Sequence, residues 1–220
     1  MAKKTHSPDD KILEIYYNSL NYFNNNKKRV YTILGIAAVV IAIVFIYFMR
    51  KGEQSENAMI ELTKVSEIYA TGNYQAAING DSLGYSKGLL FLVNEFGSTQ
   101  SGEVGKVMLA NSYYNLGDYG NAERYYNDYS GDDPILKAAA IAGVAAVKGA
   151  MGNFVEAAKE YEDAANVSEL VALNDEYLFS AAKNYSLAKD VENYKRVSEM
   201  LKQEYSQSPY IMQLQRYEIN

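Results

Sequence analysis

A glycine, a small polar residue and an aromatic occur as Gly117-Asp118-Tyr119 and again, 35 positions later, as Gly152-Asn153-Phe154, each followed by an alanine, Ala122 or Ala157. A further copy, Gly72-Asn73-Tyr74 with Ala77, stands 45 positions before the first, and a weaker match centred on Lys189 lies 37 positions after Gly152. The intervening stretches are rich in alanine and carry almost no alternating strand pattern, so residues 57–220 read as helix after helix. A period in the mid-thirties built of helix, turn and helix is the signature of a helical-repeat array, in which each unit buries its apolar face only against its neighbours. Gly117 and Gly152 supply a turn conformation that a residue with a Cβ adopts at a cost. Small pairs, Ala110 with Ala122 and Ala145 with Ala157, allow two antiparallel helices to approach closely, and Tyr126 and Tyr161 fill the space against the next unit.

The second constraint is a run without charge. Residues 30–49, VYTILGIAAVVIAIVFIYFM, form a helix of roughly 30 Å at about 1.5 Å per residue, the hydrocarbon thickness of a bilayer. Tyr31 and Tyr47 suit the interfacial belt, and Lys27, Lys28, Arg29, Arg50 and Lys51 mark the water boundaries. A cleaved secretory signal has a shorter apolar region nearer the N-terminus and small residues after it, whereas FMRKGE follows here, so retention as an anchor is expected. Basic residues on the N-terminal side outnumber those beyond the run, which keeps that side cytoplasmic. The resulting division is a basic, amphipathic segment over 1–29, a transmembrane helix over 30–49, a juxtamembrane linker over 50–56 and a repeat domain over 57–220. Ile12, Tyr16, Leu20 and Phe23 at helical spacing predict an amphipathic helix over residues 9–23 that rests on the membrane surface, extends the anchor or docks on a partner.

Composition removes several functions. Residues 52–220 hold 13 basic against 24 acidic side chains, a net charge of −11 that repels phosphate backbones and argues against nucleic acid. The chain has no cysteine and one histidine, His6, in a polar tail. It has no Gly-rich phosphate loop, no HExxH and no nucleophile elbow, and Asp132-Asp133 and Asp175-Glu176 read as charges at helix starts. The expectation is a non-enzymatic protein with no catalytic residues, cofactor, metal or small-molecule substrate.

Leu109, Ala110 and Tyr113, the turn Gly117-Asp118-Tyr119, then Ala122, Tyr126, Tyr129 and Pro134 make a nearly complete unit that resembles the tetratricopeptide repeat family. Ile141, Val144, Ala145, Gly152, Ala157, Tyr161 and Ala164 match in the next unit. The fourth, with Leu178, Ala181, Ala182 and Tyr185, lacks the turn glycine and has Tyr194 where alanine is usual; the first, around Gly72, is the weakest. The resemblance implies a tetratricopeptide-type solenoid; with the apolar run before it and the stretch YIMQLQRYEI after Pro209, which suggests a C-terminal capping helix, the expectation is an all-α protein with a single N-terminal transmembrane helix followed by that solenoid. The stretch AINGDSLGYSKGLLFLVNEFGSTQSGE lengthens the first period, as an irregular, longer second helix or as a binding feature.

In the family, outward positions of each first helix line a concave groove for protein segments. Here these map to Asn111, Tyr114 and Asn115, to Ala142 and Ala146, and to Phe179 and Lys183. The nearly bare AAAIAGVAAVKGA floor would admit a partner closely or pack against the neighbouring repeat. Val107 stands where a peptide-carboxylate clamp would need lysine. The whole layout is similar to that of the YfgM-like ancillary subunits of the bacterial SecYEG translocon. That likeness implies a bacterial inner-membrane protein with its repeats in the periplasm, an adaptor between SecYEG and a membrane-anchored parvulin-type chaperone. The rival expectation is a scaffold subunit of another cell-envelope or secretion complex. An enzyme would need perturbed carboxylates clustered in a pocket, and a self-assembling protein would stack its repeats end to end.

Overall fold

The structure, a computed structural model, describes residues 8–219 and is helical, with no strand among the described residues. His6 lies outside them. The chain forms two compact units, Met1–Glu53 and Gln54–Asn220. In the first, helix α1 (Pro8–Asn25) is followed at Asn26 by a bend and then by α2 (Lys27–Ala70), a 44-residue helix. The helix expected over residues 9–23 is thus present, and its Ile12, Ile15, Tyr16 and Leu20 are exposed. Residues 30–49 fall inside α2, long and apolar enough to cross a membrane and with none of the apolar stretch buried. Residues 50–56, expected as a linker, are helical too.

In the second unit the last turns of α2 bury Ala58, Glu61 and Val65. There follow α3 (Tyr74–Asn79), a loop over 80–88, α4 (Leu89–Phe96), α5 (Gln100–Asn115), α6 (Tyr119–Asn127), α7 (Pro134–Ala150), α8 (Phe154–Ala165), α9 (Asn174–Leu187), α10 (Val191–Glu204), α11 (Tyr210–Leu214) and a 3-10 turn, Gln215–Tyr217. Each helix from α5 to α10 packs on its successor in the chain, and α5 also meets α7. The core is accordingly subdivided in chain order: one cluster runs from Ala58 to Val147, a small one joins Ala138, Ala142, Ala164, Val171 and Tyr177, and a third runs from Ala158 to Leu214.

The turns show why the sequence folds this way. Residues 72, 117, 152 and 189 all have left-handed backbones, with φ of 76°, 79°, 85° and 58°. At the last three, the N–H of that residue bonds back three positions and the next N–H bonds back five, as in Asp118 N to Tyr113 O at 2.9 Å and Asp190 N to Tyr185 O at 2.9 Å. This satisfies the last carbonyls of one helix while the same polar residue begins the next. Asp118 and Asp190 accept from the N–H three residues on at 3.1 Å, and Asn73 does so at 3.2 Å. The fourth turn therefore keeps the geometry without the glycine. Between α6 and α7, Asp133 accepts from Ile135 N and Leu136 N, with Pro134 in the first helical position.

The small pairs behave as their spacing requires: Ala110, Ala122, Ala145 and Ala157 are all fully buried. Tyr194, which replaces alanine in the fourth pair, is buried instead beneath the C-terminal segment, its hydroxyl donating to Leu214 O at 3.0 Å. The long first period resolves into a broken second helix, α3 and α4, with the loop between them held on α2. Glu61 accepts from Ser86 Oγ and Lys87 N at 2.7 and 2.6 Å, and Tyr85 donates to Glu67 at 2.8 Å.

Candidate partner-binding surface

Helix α5 presents Asn111, Tyr114 and Asn115 one turn apart. Asn111 is half-buried and accepts a hydrogen bond from the hydroxyl of Tyr126 on α6, and it is also hydrogen-bonded to Tyr69 at the end of α2. Tyr114 lies against the ring of Tyr119, 5.5 Å between centroids. Asn115 is exposed and its amide donates to Asn111 O at 2.7 Å. These three, with Ala146 on α7 and Lys183 on α9, both half-buried, are the expected site residues that reach the surface.

Ala142 and Phe179 are covered. Ala142 is buried in the cluster with Ala138, Ala164, Val171 and Tyr177. Phe179 is buried because Tyr210 stacks on it at 5.2 Å and Tyr217 meets it edge-on at 5.9 Å. Lys183 is half-buried, its ammonium 5.7 Å from the Tyr217 ring, and Ser186 Oγ donates to Tyr217 O at 2.6 Å. The segment after Pro209 thus covers Phe179 and borders Lys183, so the accessible part of the expected surface is that of α5 and α7 with the Lys183 side chain at its edge.

The chemistry of that part is phenolic and neutral. Burial raises the Tyr69 hydroxyl above its usual range against the lowering effect of its bond to Asn111. Burial and then the nearby hydroxyls of Tyr69, Tyr114 and Tyr161 raise Tyr126 strongly, and burial followed by Tyr114 pushes Tyr161 up to about 12. None of these ionises near neutrality, so the hydroxyls gathered here carry no charge. Sequence spacing assigned Tyr126 and Tyr161 to packing, but it carries no information on where their hydroxyls end. The period marked the rings; only the tertiary placement brings the Tyr126 hydroxyl onto Asn111 and that of Tyr161 near it.

The carboxylate pairs have local partners. Asp133 caps α7, while Asp175, in the first turn of α9, accepts from Glu176 N at 2.9 Å and from Ser208 Oγ at 2.7 Å. No group of carboxylate, imidazole or thiol side chains that could hold a metal ion occurs among the described residues. Comparison with protein families, with curated proteins and with solved structures gave no match to this chain.

Proposed function

We propose that the chain is a membrane-anchored, non-enzymatic adaptor whose helical pairs are tetratricopeptide-type repeats. Residues 30–49 span the bilayer with the N-terminus cytoplasmic, and the acidic repeat domain lies in the periplasm at the inner membrane. The surface around Asn111, Tyr114, Asn115 and Ala146 receives a protein segment, and residues 209–219 cap the last pair. The partners are the SecYEG translocon and a membrane-anchored parvulin-type chaperone, which the adaptor links. One observation carries the repeat reading: a left-handed residue recurs at Gly72, Gly117, Gly152 and Lys189, each time between the end of one helix and the start of the next, with the same pair of turn hydrogen bonds at the last three.

The anchor reading is supported by the exposed apolar run within α2, bounded by Lys27, Lys28, Arg29, Arg50 and Lys51. Mild crosslinking of the tagged full chain in its native membrane, followed by mass spectrometry, tests the role. Recovery of SecY with a periplasmic chaperone as dominant partners is the expected result. Reproducible recovery of a different envelope complex would replace the translocon role with the scaffold reading.

A further inference from the structure

We propose that the bend between α1 and α2 binds the phosphate of an anionic phospholipid. The inference rests on the reading of residues 30–49 as a membrane span. Around the bend, Asn25, Asn26, Lys28, Arg29, Thr32 and Ile33 line a concavity of about 540 Å³. Its shape is fixed by local bonds: the Asn26 amide donates to Tyr22 O at 3.0 Å, and the Asn26 N–H is shared between Tyr22 O and Phe23 O at 3.0 and 3.2 Å. The Phe23 ring meets Tyr31 edge-on across the bend at 5.9 Å. A site already formed loses less ordering entropy when it is filled.

The lining passes from charged to apolar along α2. Lys28 and Arg29 are exposed, Thr32 follows one turn later, and Ile33 is 63% exposed. With residues 30–49 in the hydrocarbon, the two cations fall at headgroup depth and Ile33 at the first acyl carbons. A molecule that is anionic at one end and apolar just below it matches that gradient. Charge complementarity is unopposed: residues 15–52 contain no carboxylate, and no ion pair among the described residues engages Lys27, Lys28 or Arg29.

The guanidinium of Arg29 presents a planar fork that takes two phosphate oxygens, and Lys28 adds a point charge. The second amide hydrogen of Asn26 is left for a third contact. Thr32 contributes no donor, because its hydroxyl hydrogen goes to Lys28 O at 2.8 Å. Each basic side chain near an anionic membrane surface contributes attraction worth about fivefold in occupancy.

The test uses the purified full chain in nanodiscs of phosphatidylcholine with a minority of phosphatidylglycerol, and native mass spectrometry of the lipids it retains. The expected result is selective retention of phosphatidylglycerol, falling by at least about fivefold in the double variant K28Q/R29Q. R29K keeps the charge but loses the fork and is expected to fall between the two. R50Q/K51Q, which removes the same charge at the other end of the span, gives up only the general attraction of two cations to the surface and is expected to lose clearly less lipid than K28Q/R29Q. Equal losses in the two double variants, or no lipid selection in the parent, would overturn the site. Displacement of the lipid by inorganic phosphate at millimolar concentration would reassign it to a free anion. Alkaline extraction of native membranes separates the two readings. Release of the protein would remove the span and the site together, whereas a protein that stays in the membrane yet selects no lipid removes the site alone.

Discussion

The ring of Tyr126 lies directly over the backbone of Gly143: a methyl group on Gly143 would sit 2.3 Å from Cε1 and Cζ of that ring. Tyr126 is itself buried and tied to Asn111 through its hydroxyl, so the ring has little room to retreat. Gly143→Ala is expected to destabilise the domain by about 1–3 kcal/mol despite the better helix propensity of alanine. In a Tyr126→Leu background the obstruction is gone, and the same change is expected to be neutral or stabilising. Thermal or urea unfolding of the four proteins in the cycle reads the coupling, and additive effects would show that the two residues do not meet.

The turn at Lys189 has the geometry of those at Gly117 and Gly152 but holds a side chain at φ of 58°. A left-handed conformation costs a residue with a Cβ about 1–2 kcal/mol, of which glycine's greater freedom in the unfolded chain returns part. Lys189→Gly is therefore expected to stabilise by up to about 1 kcal/mol, and Gly117→Ala to destabilise by about 1 kcal/mol. The comparison is clean because nothing lies within 4 Å of a methyl group built on Gly117. A loss of stability in Lys189→Gly would mean that the lysine side chain makes a contribution larger than its backbone strain.

Glu162 joins three helices, accepting from both terminal nitrogens of Arg196 at 2.7 and 2.8 Å and from the hydroxyl of the fully buried Tyr185 at 2.7 Å. Burial alone would raise its carboxyl, but the hydrogen bonds from Arg196 and Tyr185 outweigh it and hold the group below its usual range. A carboxylate lowered on folding adds stability that is complete above its unfolded value, about 4.3, and is lost as pH falls through the lower folded value. Glu103 is lowered by the same balance, burial against the Ser130 N–H, Lys106 and the Ser130 hydroxyl, and adds to the same acid limb. Glu162→Gln is expected to cost about 1–2 kcal/mol at pH 7, because Arg196 is partly solvated, and to flatten the loss of stability below about pH 4.3. An unchanged slope in that range would mean that Glu162 does not titrate differently in the folded and unfolded states.

How much of this was legible depended on whether the signal was local. The turn residues, the small pairs and the apolar run are properties of a few neighbouring positions, and the helices fall where those positions put them. Pro209 likewise announced a final helix, yet nothing near it in sequence said that Tyr210 and Tyr217 would cover Phe179 and border Lys183. Burial of Phe179 on α9 depends on residues 30 or more positions away, which no local pattern reports. Ala142 was open to both readings, since a bare floor suits a partner or a neighbouring helix equally, and the packing with Ala164 and Tyr177 decides for the neighbour. Glu61 gave no sign of its role, because a single acid on a helix looks solvated until Ser86 and Lys87 are folded back onto it.

The loop over residues 80–88 provides a last test, of whether it is a rigid element or a slack insertion. Asp81 accepts from Leu83 N and Ser86 N at 3.0 and 2.7 Å, which closes the loop on itself, and Glu61 fixes it to α2. Its two ends touch: Gly88 has φ of 88°, and a methyl group there would lie 2.3 Å from Gly80 N and 2.6 Å from Ile78 O. Both obstructing atoms are backbone, which cannot rotate away as a side chain can. Gly88→Ala is therefore expected to destabilise by more than the about 1–3 kcal/mol assigned to the overpacking at Gly143. At the loop tip Leu83 is 93% exposed, and Leu83→Ser is expected to leave stability within about 0.5 kcal/mol of the parent. Hydrogen exchange reads the same property directly. The Lys87 amide, bonded to Glu61, is expected to be protected in the parent and to lose that protection in Glu61→Ala, while the Ser86 amide keeps its bond to Asp81; fast exchange at Lys87 in the parent would show that the loop is not held on α2.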